Sequence, residues 1–121
     1  GATATGDLAT SVGAPTESTD AGKKFLDQYK AAGYAEPAAA YGGYAYDAAK
    51  AIIEGAKGSL KDAKDVKSAR DATLTSIGKV SFDGVTGKVA FDEFGDTTSK
   101  ILTVYKVDAG KWAPSKTDTF K

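Results

Sequence analysis

The chain has 121 residues, and its 16 basic and 16 acidic side chains give a formal net charge of zero. This balance provides no electrostatic attraction to nucleic acid, so we expect no nucleic-acid partner. Histidine and cysteine are absent, which excludes an internal disulfide, a Ser-His or Cys-His nucleophilic pair and a zinc site with nitrogen and sulfur ligands. We therefore expect no enzyme activity, no catalytic residues, no cofactor and no metal, in one compact domain with its own core.

The first predicted elements are a strand and a helix. Alternating residues from Leu8 to Val12 predict a short strand that ends at the following Gly-Ala-Pro. Ser-Thr-Asp at 18–20 offers side-chain oxygens for the start of a helix over about 20–32. Gly33 lies where a left-handed residue would end that helix. The residues predicted on its apolar face are Phe25, Leu26 and Tyr29.

Two further helices follow in the sequence. Pro37 suits the first turn of a helix over 37–57, which Gly58 would end. The Ser-x-x-Asp pattern at 59–62 predicts the start of a third helix over 60–77. The residues predicted on the inner face of this helix are Val66, Ala69, Thr73 and Ile77.

The C-terminal third reads as strands separated by turns. Alternating apolar residues on either side of Asp83-Gly84 predict a hairpin, and residues 92–96 predict a second turn. A β-branched run over 101–107 predicts a longer strand. The fold class is therefore α/β, with three helices, short strands and a C-terminal β-hairpin region.

Two strings in this region resemble functional motifs. Residues 84–88, Gly-Val-Thr-Gly-Lys, have two residues between the glycines where a Walker phosphate loop has four, so we interpret them as a turn. Asp92, Glu93 and Asp96 are acidic and close in sequence, but their spacing is not that of an EF-hand calcium loop. Asp and Gly are ordinary turn residues, and a turn is the preferred interpretation here too.

Four segments resemble one protein family in the family's order. Residues 82–96 match F-D-G-V-T-G-K-V-x-F-D-x-x-G-D, and residues 104–112 match V-Y-x-V-x-x-G-K-W. Residues 41–52 are similar to the family's Tyr-Asp-Ala helix, and residues 22–29 to its G-K-x-F-x-x-x-Y helix, preceded by its strand. The chain thus resembles the branched-chain amino-acid-type periplasmic binding proteins, the substrate-binding subunits of ABC importers.

The resemblance implies a C-terminal fragment of a type I periplasmic-binding-protein fold. Since the chain starts at Gly1 without a methionine, a signal peptide or a long apolar segment, we expect the last third of a two-lobed protein. Residues 1–121 form one segment in this interpretation, with a helical part at about 7–80 and a strand-rich part at about 80–115. The expected location is periplasmic or extracellular, with a membrane anchor in an absent N-terminus as one form of attachment.

The implied function is the binding of a small solute, an amino acid of branched-chain type, between the two lobes. The implied partners are this ligand, the N-terminal remainder of the protein and the membrane permease of the importer. Alone, the chain would expose apolar helix faces and strand edges, so we expect it to form a homo-oligomer or swapped dimer. Two alternatives remain open, a ligand-sensing domain of a receptor and a non-binding α/β interaction scaffold.

Tyrosines near the second helix are the candidate ligand contacts. The resemblance places Tyr41 toward the inter-lobe cleft, where an aromatic ring with a phenol would suit an amino-acid side chain. Ligand wall and core packing both remain open for Tyr41, whereas packing is preferred for Tyr44 and Tyr46. Trp112 is expected to pack after the last hairpin. No Asp or Glu matches the family's ammonium-binding position, so the predicted ligand class depends on the resemblance.

Overall fold

The computed structural model describes residues 2–61 and 63–120. The described residues form three α-helices, two short 3-10 helices and five strands, which confirms the predicted α/β class. The helices are α1 Asp20–Ala31, α2 Gly42–Ser59 and α3 Val66–Ile77. The strands are β1 Leu8–Val12, β2 Ser81–Gly84, β3 Gly87–Ala90, β4 Ile101–Asp108 and β5 Lys111–Thr119.

The strands form two separate antiparallel sheets. One has three strands in the order β1-β4-β5, and the other is the β2-β3 hairpin. In the first sheet Leu8 lies opposite Lys106 and Val12 opposite Leu102. This pairing joins β1 to the C-terminal strands, while the division of the chain into parts near residue 80 stays a prediction.

The predicted limits of α1 are confirmed by its caps. The Thr19 hydroxyl accepts a hydrogen bond from the Gly22 N–H at 3.0 Å, which satisfies one of the free donors at the helix start. At the other end, Gly33 has a φ of +69°, the left-handed conformation that favours glycine.

The predicted limits of α2 are wrong at both ends. The helix begins at Gly42, with Tyr41 as its N-cap, rather than at Pro37. A helix from Pro37 would enclose Gly42 and Gly43 in its interior, at a cost of about 1 kcal/mol for each relative to alanine. At its C-terminus α2 runs through the predicted stop at Gly58 to Ser59, which contacts Thr73 of α3.

The predicted start of α3 at residue 60 is also wrong. Asp65 caps this helix in a reciprocal capping box with Ser68, and the Asp65 carboxylate accepts from the Ser68 N–H at 2.7 Å. Ser59, predicted as the cap, ends α2 and its hydroxyl lies 2.8 Å from that of Thr73. Asp62 lies outside the described residues. The end of α3 at Ile77 agrees with the prediction.

The inner face of α3 differs from the prediction at one residue. Ala69, Thr73 and Ile77 are half-buried as expected. Val66, in the first turn, is 71% exposed, whereas Thr73 and Ile77 further along the helix lie against Ser59 and Gly55 of α2.

The two C-terminal turns have different outcomes. The hairpin turns at Val85-Thr86 rather than at Asp83-Gly84, and Gly87 takes the positive φ, +104°, that follows it. The turn at 92–96 is confirmed, because the Asp92 carboxylate accepts from the N–H groups of Phe94 and Asp96, each at 3.0 Å.

The expected hydrophobic core is sparse. Only Ala51, Val85 and Val107 are buried apolar residues among those that the structure describes. The accessible surface is 8840 Å², whereas a compact monomer of 12.4 kDa exposes about 6,100 Å². Trp112 is 54% exposed, so the expectation that it packs is wrong for this chain.

Exposed apolar side chains lie on the three-stranded sheet and on α2. Leu8 and Val12 are more than half exposed on one face of the three-stranded sheet, and Ile52 and Ile53 on α2. No helix in the described ranges combines the length and apolar character needed to cross a bilayer.

Candidate functional site

A cleft of about 610 Å³ separates the helical part of the chain from the three-stranded sheet. The start of α2 and the β2-β3 hairpin form one side, and the end of β1 and the segment leading into β4 form the other. Apolar side chains make up much of its lining, among them Val12, Val89, Phe91 and Ile101.

The hairpin side of the cleft is held by Asp47 of α2. Its carboxylate accepts hydrogen bonds from the Val85 N–H at 2.9 Å, the Thr86 N–H at 2.8 Å and the Thr86 hydroxyl at 2.7 Å. Asp47 is 3% exposed, and these three donors replace the water that a carboxylate loses on burial. A Cβ atom added at Gly84 would come within 2.5 Å of the carboxylate, so this contact requires glycine there.

The sheet side of the cleft is reached by Tyr44, one turn before Asp47. The Tyr44 hydroxyl donates to the Val12 carbonyl at 2.8 Å. The next residue, Gly13, has a φ of +73°, and a Cβ atom there would overlap the Tyr44 hydroxyl. Burial of the phenol, with smaller contributions from Tyr105, Tyr41 and Asp47, raises the pKa of Tyr44.

The backbone beside Tyr44 is fixed to β4. The Gly13 N–H donates to the Ile101 carbonyl at 2.7 Å, and the Gly13 carbonyl accepts from the Thr103 hydroxyl at 2.6 Å. Thr103 is fully buried. These hydrogen bonds hold the backbone that follows β1 against the start of β4.

The charged groups that line the cleft are Asp47, Lys88, Asp96 and Lys100. The Lys88 ammonium lies 3.8 Å from the Asp83 carboxylate, and both side chains are largely exposed. Such a pair contributes little to stability. The cleft therefore offers an apolar surface with charged groups of both signs, an arrangement that suits a small ligand with an apolar body and a charged end.

The three candidate tyrosines have different surroundings in the structure. Tyr41 is 70% exposed at the N-cap of α2, outside the cleft lining, with its ring centroid 6.2 Å from that of Tyr44. Tyr46 packs against Phe25 at 5.7 Å and is itself 55% exposed. A ligand contact at Tyr41 stays a prediction.

Asp47 and Tyr44 are the residues whose roles the sequence reasoning missed. An aspartate inside the alanine-rich stretch of α2 was the available signal, because a carboxylate on an apolar helix face needs a partner. The described residues contain no cluster of three or more acidic, His or Cys side chains arranged for a metal ion.

Comparisons with known proteins give one family match. A family model described as the receptor family ligand binding region matches residues 10–110. No curated protein sequence matches the chain significantly.

Solved structures share the fold of nearly the whole chain. A leucine binding protein from Thermotoga maritima is 24% identical with a TM-score of 0.75, over 98% of this chain and 32% of that one. An ABC transporter substrate-binding protein from Desulfitobacterium hafniense in complex with Leu is 22% identical, with a TM-score of 0.69 over 94% and 32%. A solute binding protein of an ABC transporter from R. palustris, in complex with benzoate, is 16% identical, with a TM-score of 0.70 over 97% and 31%. The chain spans about a third of the length of these proteins.

Proposed function

The chain belongs to the family described as the receptor family ligand binding region, and we propose that it is one third of a two-lobed solute-binding protein of an ABC-type importer. The observation that carries the proposal is the fold, since 98% of the chain corresponds to 32% of a leucine binding protein. The activity proposed is binding without catalysis.

The excess surface of the chain supports a larger parent protein. The chain exposes about 2,700 Å² more than a compact monomer of its mass would. A protein–protein interface of standard size buries about 800 Å² on each partner, so this excess is large enough for an extensive obligate contact. The remainder of the two-lobed protein would cover the bare faces of the sheet and of α2.

The proposed ligand is a small apolar carboxylate, with branched-chain amino acids as the first class to test. Leucine and benzoate, the ligands named for two of the similar structures, both combine an apolar body with a carboxylate. In this proposal Tyr41 contributes an aromatic wall, and its exposed position at the start of α2 leaves the ring free to meet a ligand or the opposite lobe.

The proposed mechanism is closure of two lobes around the solute. A ligand that touches both lobes stabilises the closed state, because it binds that state more tightly than the open one. The closed form would then dock on a membrane permease. The setting proposed for this exchange is the periplasm or the cell exterior.

Calorimetric titration of the complete protein with a ligand panel tests this function. The panel contains leucine, valine, benzoate and the polar amino acid serine. We expect leucine or valine to bind with a Kd of about 1 μM, near −8 kcal/mol, and serine to bind at least tenfold more weakly. Heat signals absent for every apolar carboxylate would contradict the proposal.

A ligand-sensing domain of a receptor is the second candidate. The description of the matching family, a receptor ligand binding region, favours it. Both functions predict solute binding, and they differ in what the same gene encodes beyond these residues. A transmembrane or DNA-binding segment fused to the chain would favour sensing over import.

A further inference from the structure

Helix α2 contacts both sides of the cleft through two side chains. Tyr44 reaches the end of β1 at the Val12 carbonyl, and Asp47 reaches the hairpin turn at Val85 and Thr86. Residues three apart in a helix lie on the same side of it, so both side chains leave α2 in one direction. Through these two side chains, one turn of α2 contacts both walls of the cleft.

Both contacts depend on a glycine in the opposing wall. Gly13 faces the Tyr44 hydroxyl and Gly84 faces the Asp47 carboxylate, and an added Cβ atom would collide in each case. Close approach of backbone to a polar side chain, permitted by glycine, therefore occurs once on each side of the cleft. This repeated arrangement indicates two specific attachments.

The other extensive contacts in the described part of the chain do not join the two walls. They lie within the three-stranded sheet, within the hairpin, between α2 and α3, and between α1 and the turn before it. The separation of the walls therefore depends on α2 and on the two connecting segments over residues 13–19 and 91–100.

We infer that Tyr44 and Asp47 are a pair of positioning residues that fix the width of the cleft. Each anchors one wall to the same rigid helix, so the loss of either anchor frees that wall from the other. The inference deepens the proposed function, since cleft width would select ligand size, although the anchoring itself does not require that a ligand binds.

Distances between spin labels test the anchoring without a ligand. In a cysteine-free background of the complete protein, Asp83→Cys labels the hairpin and Lys106→Cys labels β4; both native side chains are exposed. We expect Tyr44→Phe and Asp47→Asn each to broaden the label-to-label distance distribution, and the double variant to broaden it further.

The controls make matched chemical changes nearby. Tyr46→Phe removes a hydroxyl two residues from Tyr44, and Glu54→Gln converts an exposed carboxylate of the same helix to an amide. Both controls should keep the parent distribution. Distributions for Tyr44→Phe and Asp47→Asn that coincide with the parent's would overturn the inference.

A second variant protects the test if Asp47→Asn fails to fold. Thr86→Val removes one of the three hydrogen bonds to Asp47 and keeps the carboxylate and the side-chain volume. It should broaden the distribution less than Tyr44→Phe does, and an unchanged distribution in both variants would overturn the inference.

Leucine titration adds a functional readout to the same variants. We expect Tyr44→Phe to raise the Kd for leucine about three- to tenfold, and Tyr46→Phe to leave it unchanged. If the parent binds neither leucine nor any other apolar carboxylate of the panel, the proposed ligand class fails while the label distances still decide the anchoring.

Discussion

Replacing Asp47 with alanine removes the acceptor for three hydrogen bonds at once. The Val85 N–H lies in the buried interior and the Thr86 N–H is partly buried, whereas the Thr86 hydroxyl can rotate toward water. Each buried donor left without an acceptor costs about 1–3 kcal/mol, so the expected loss for Asp47→Ala is about 2–5 kcal/mol of unfolding free energy.

Asp47→Asn should fall between the parent and alanine. The amide keeps one accepting oxygen but places N–H groups where the second carboxylate oxygen accepts, so at least one donor loses its partner. The loss of a charge-assisted bond predicts a decrease of about 1.5–3 kcal/mol.

Urea unfolding followed by circular dichroism measures the free energy of unfolding of the parent and of both Asp47 variants. The m-value checks that each transition stays two-state. Glu54→Ala is the matched control, because its carboxylate pairs at the surface with Lys57 at 2.9 Å and is worth at most about 0.5 kcal/mol. If Asp47→Ala costs no more than this control does, the assigned role of Asp47 is wrong.

Three further predictions concern packing, pH and association. Phe25→Ala removes a half-buried ring that contacts two tyrosines and should lower the free energy of unfolding in urea by about 1.5–3 kcal/mol. Tyr41→Ala, at an exposed site, should lower it by about 0.5 kcal/mol or less. Equal losses in the two variants would contradict the assigned packing. The backbone hydrogen bond from Ser68 lowers the pKa of Asp65. Its stabilisation of α3 should therefore be complete above the unfolded-state pKa and disappear as pH falls through the lower folded pKa; a Ser68 amide NMR shift that does not follow this titration would refute the cap. The separate 121-residue chain should self-associate through its bare apolar faces, and light scattering that finds a stable compact monomer would argue against this.

The sequence was a good guide wherever the determinant of structure was local. Thr19 and Gly33 sit next to the ends of α1 that they define, so cap chemistry alone located that helix. The alternation of β1 and the β-branched run of β4 also lie within single strands. Local signals of this kind were sufficient to predict the α/β class, and four short sequence segments carried the family resemblance.

The missed features depend on contacts between distant residues. The hairpin turns two residues later than Asp83-Gly84 suggests, because the carboxylate of Asp47, 38 residues from Val85, binds the amides of the turn. The early start predicted for α3 failed for a related reason. Ser59 continues α2 and bonds to Thr73 across the helix pair, which no local capping pattern reports.

The candidate cleft is a still less local feature. It combines the end of β1, the start of α2, the hairpin and the approach to β4. Only the pairing of β1 with β4, across some ninety residues, brings Val12 and Ile101 together there. Sequence reasoning selected Tyr41 by resemblance, whereas Tyr44 lines the cleft.

The central prediction is that this chain supplies part of a solute site and that a second lobe completes it. Isotope-labelled samples of the 121-residue chain alone and of the complete protein, each titrated with leucine and followed by NMR, test it directly. We expect no saturable shifts in the chain alone at millimolar leucine, since each missing charge-assisted hydrogen bond forfeits about 1.5–3 kcal/mol. The complete protein should show saturable shifts at micromolar leucine that include Tyr41. Saturable micromolar binding by the chain alone, or none by the complete protein, would contradict the account.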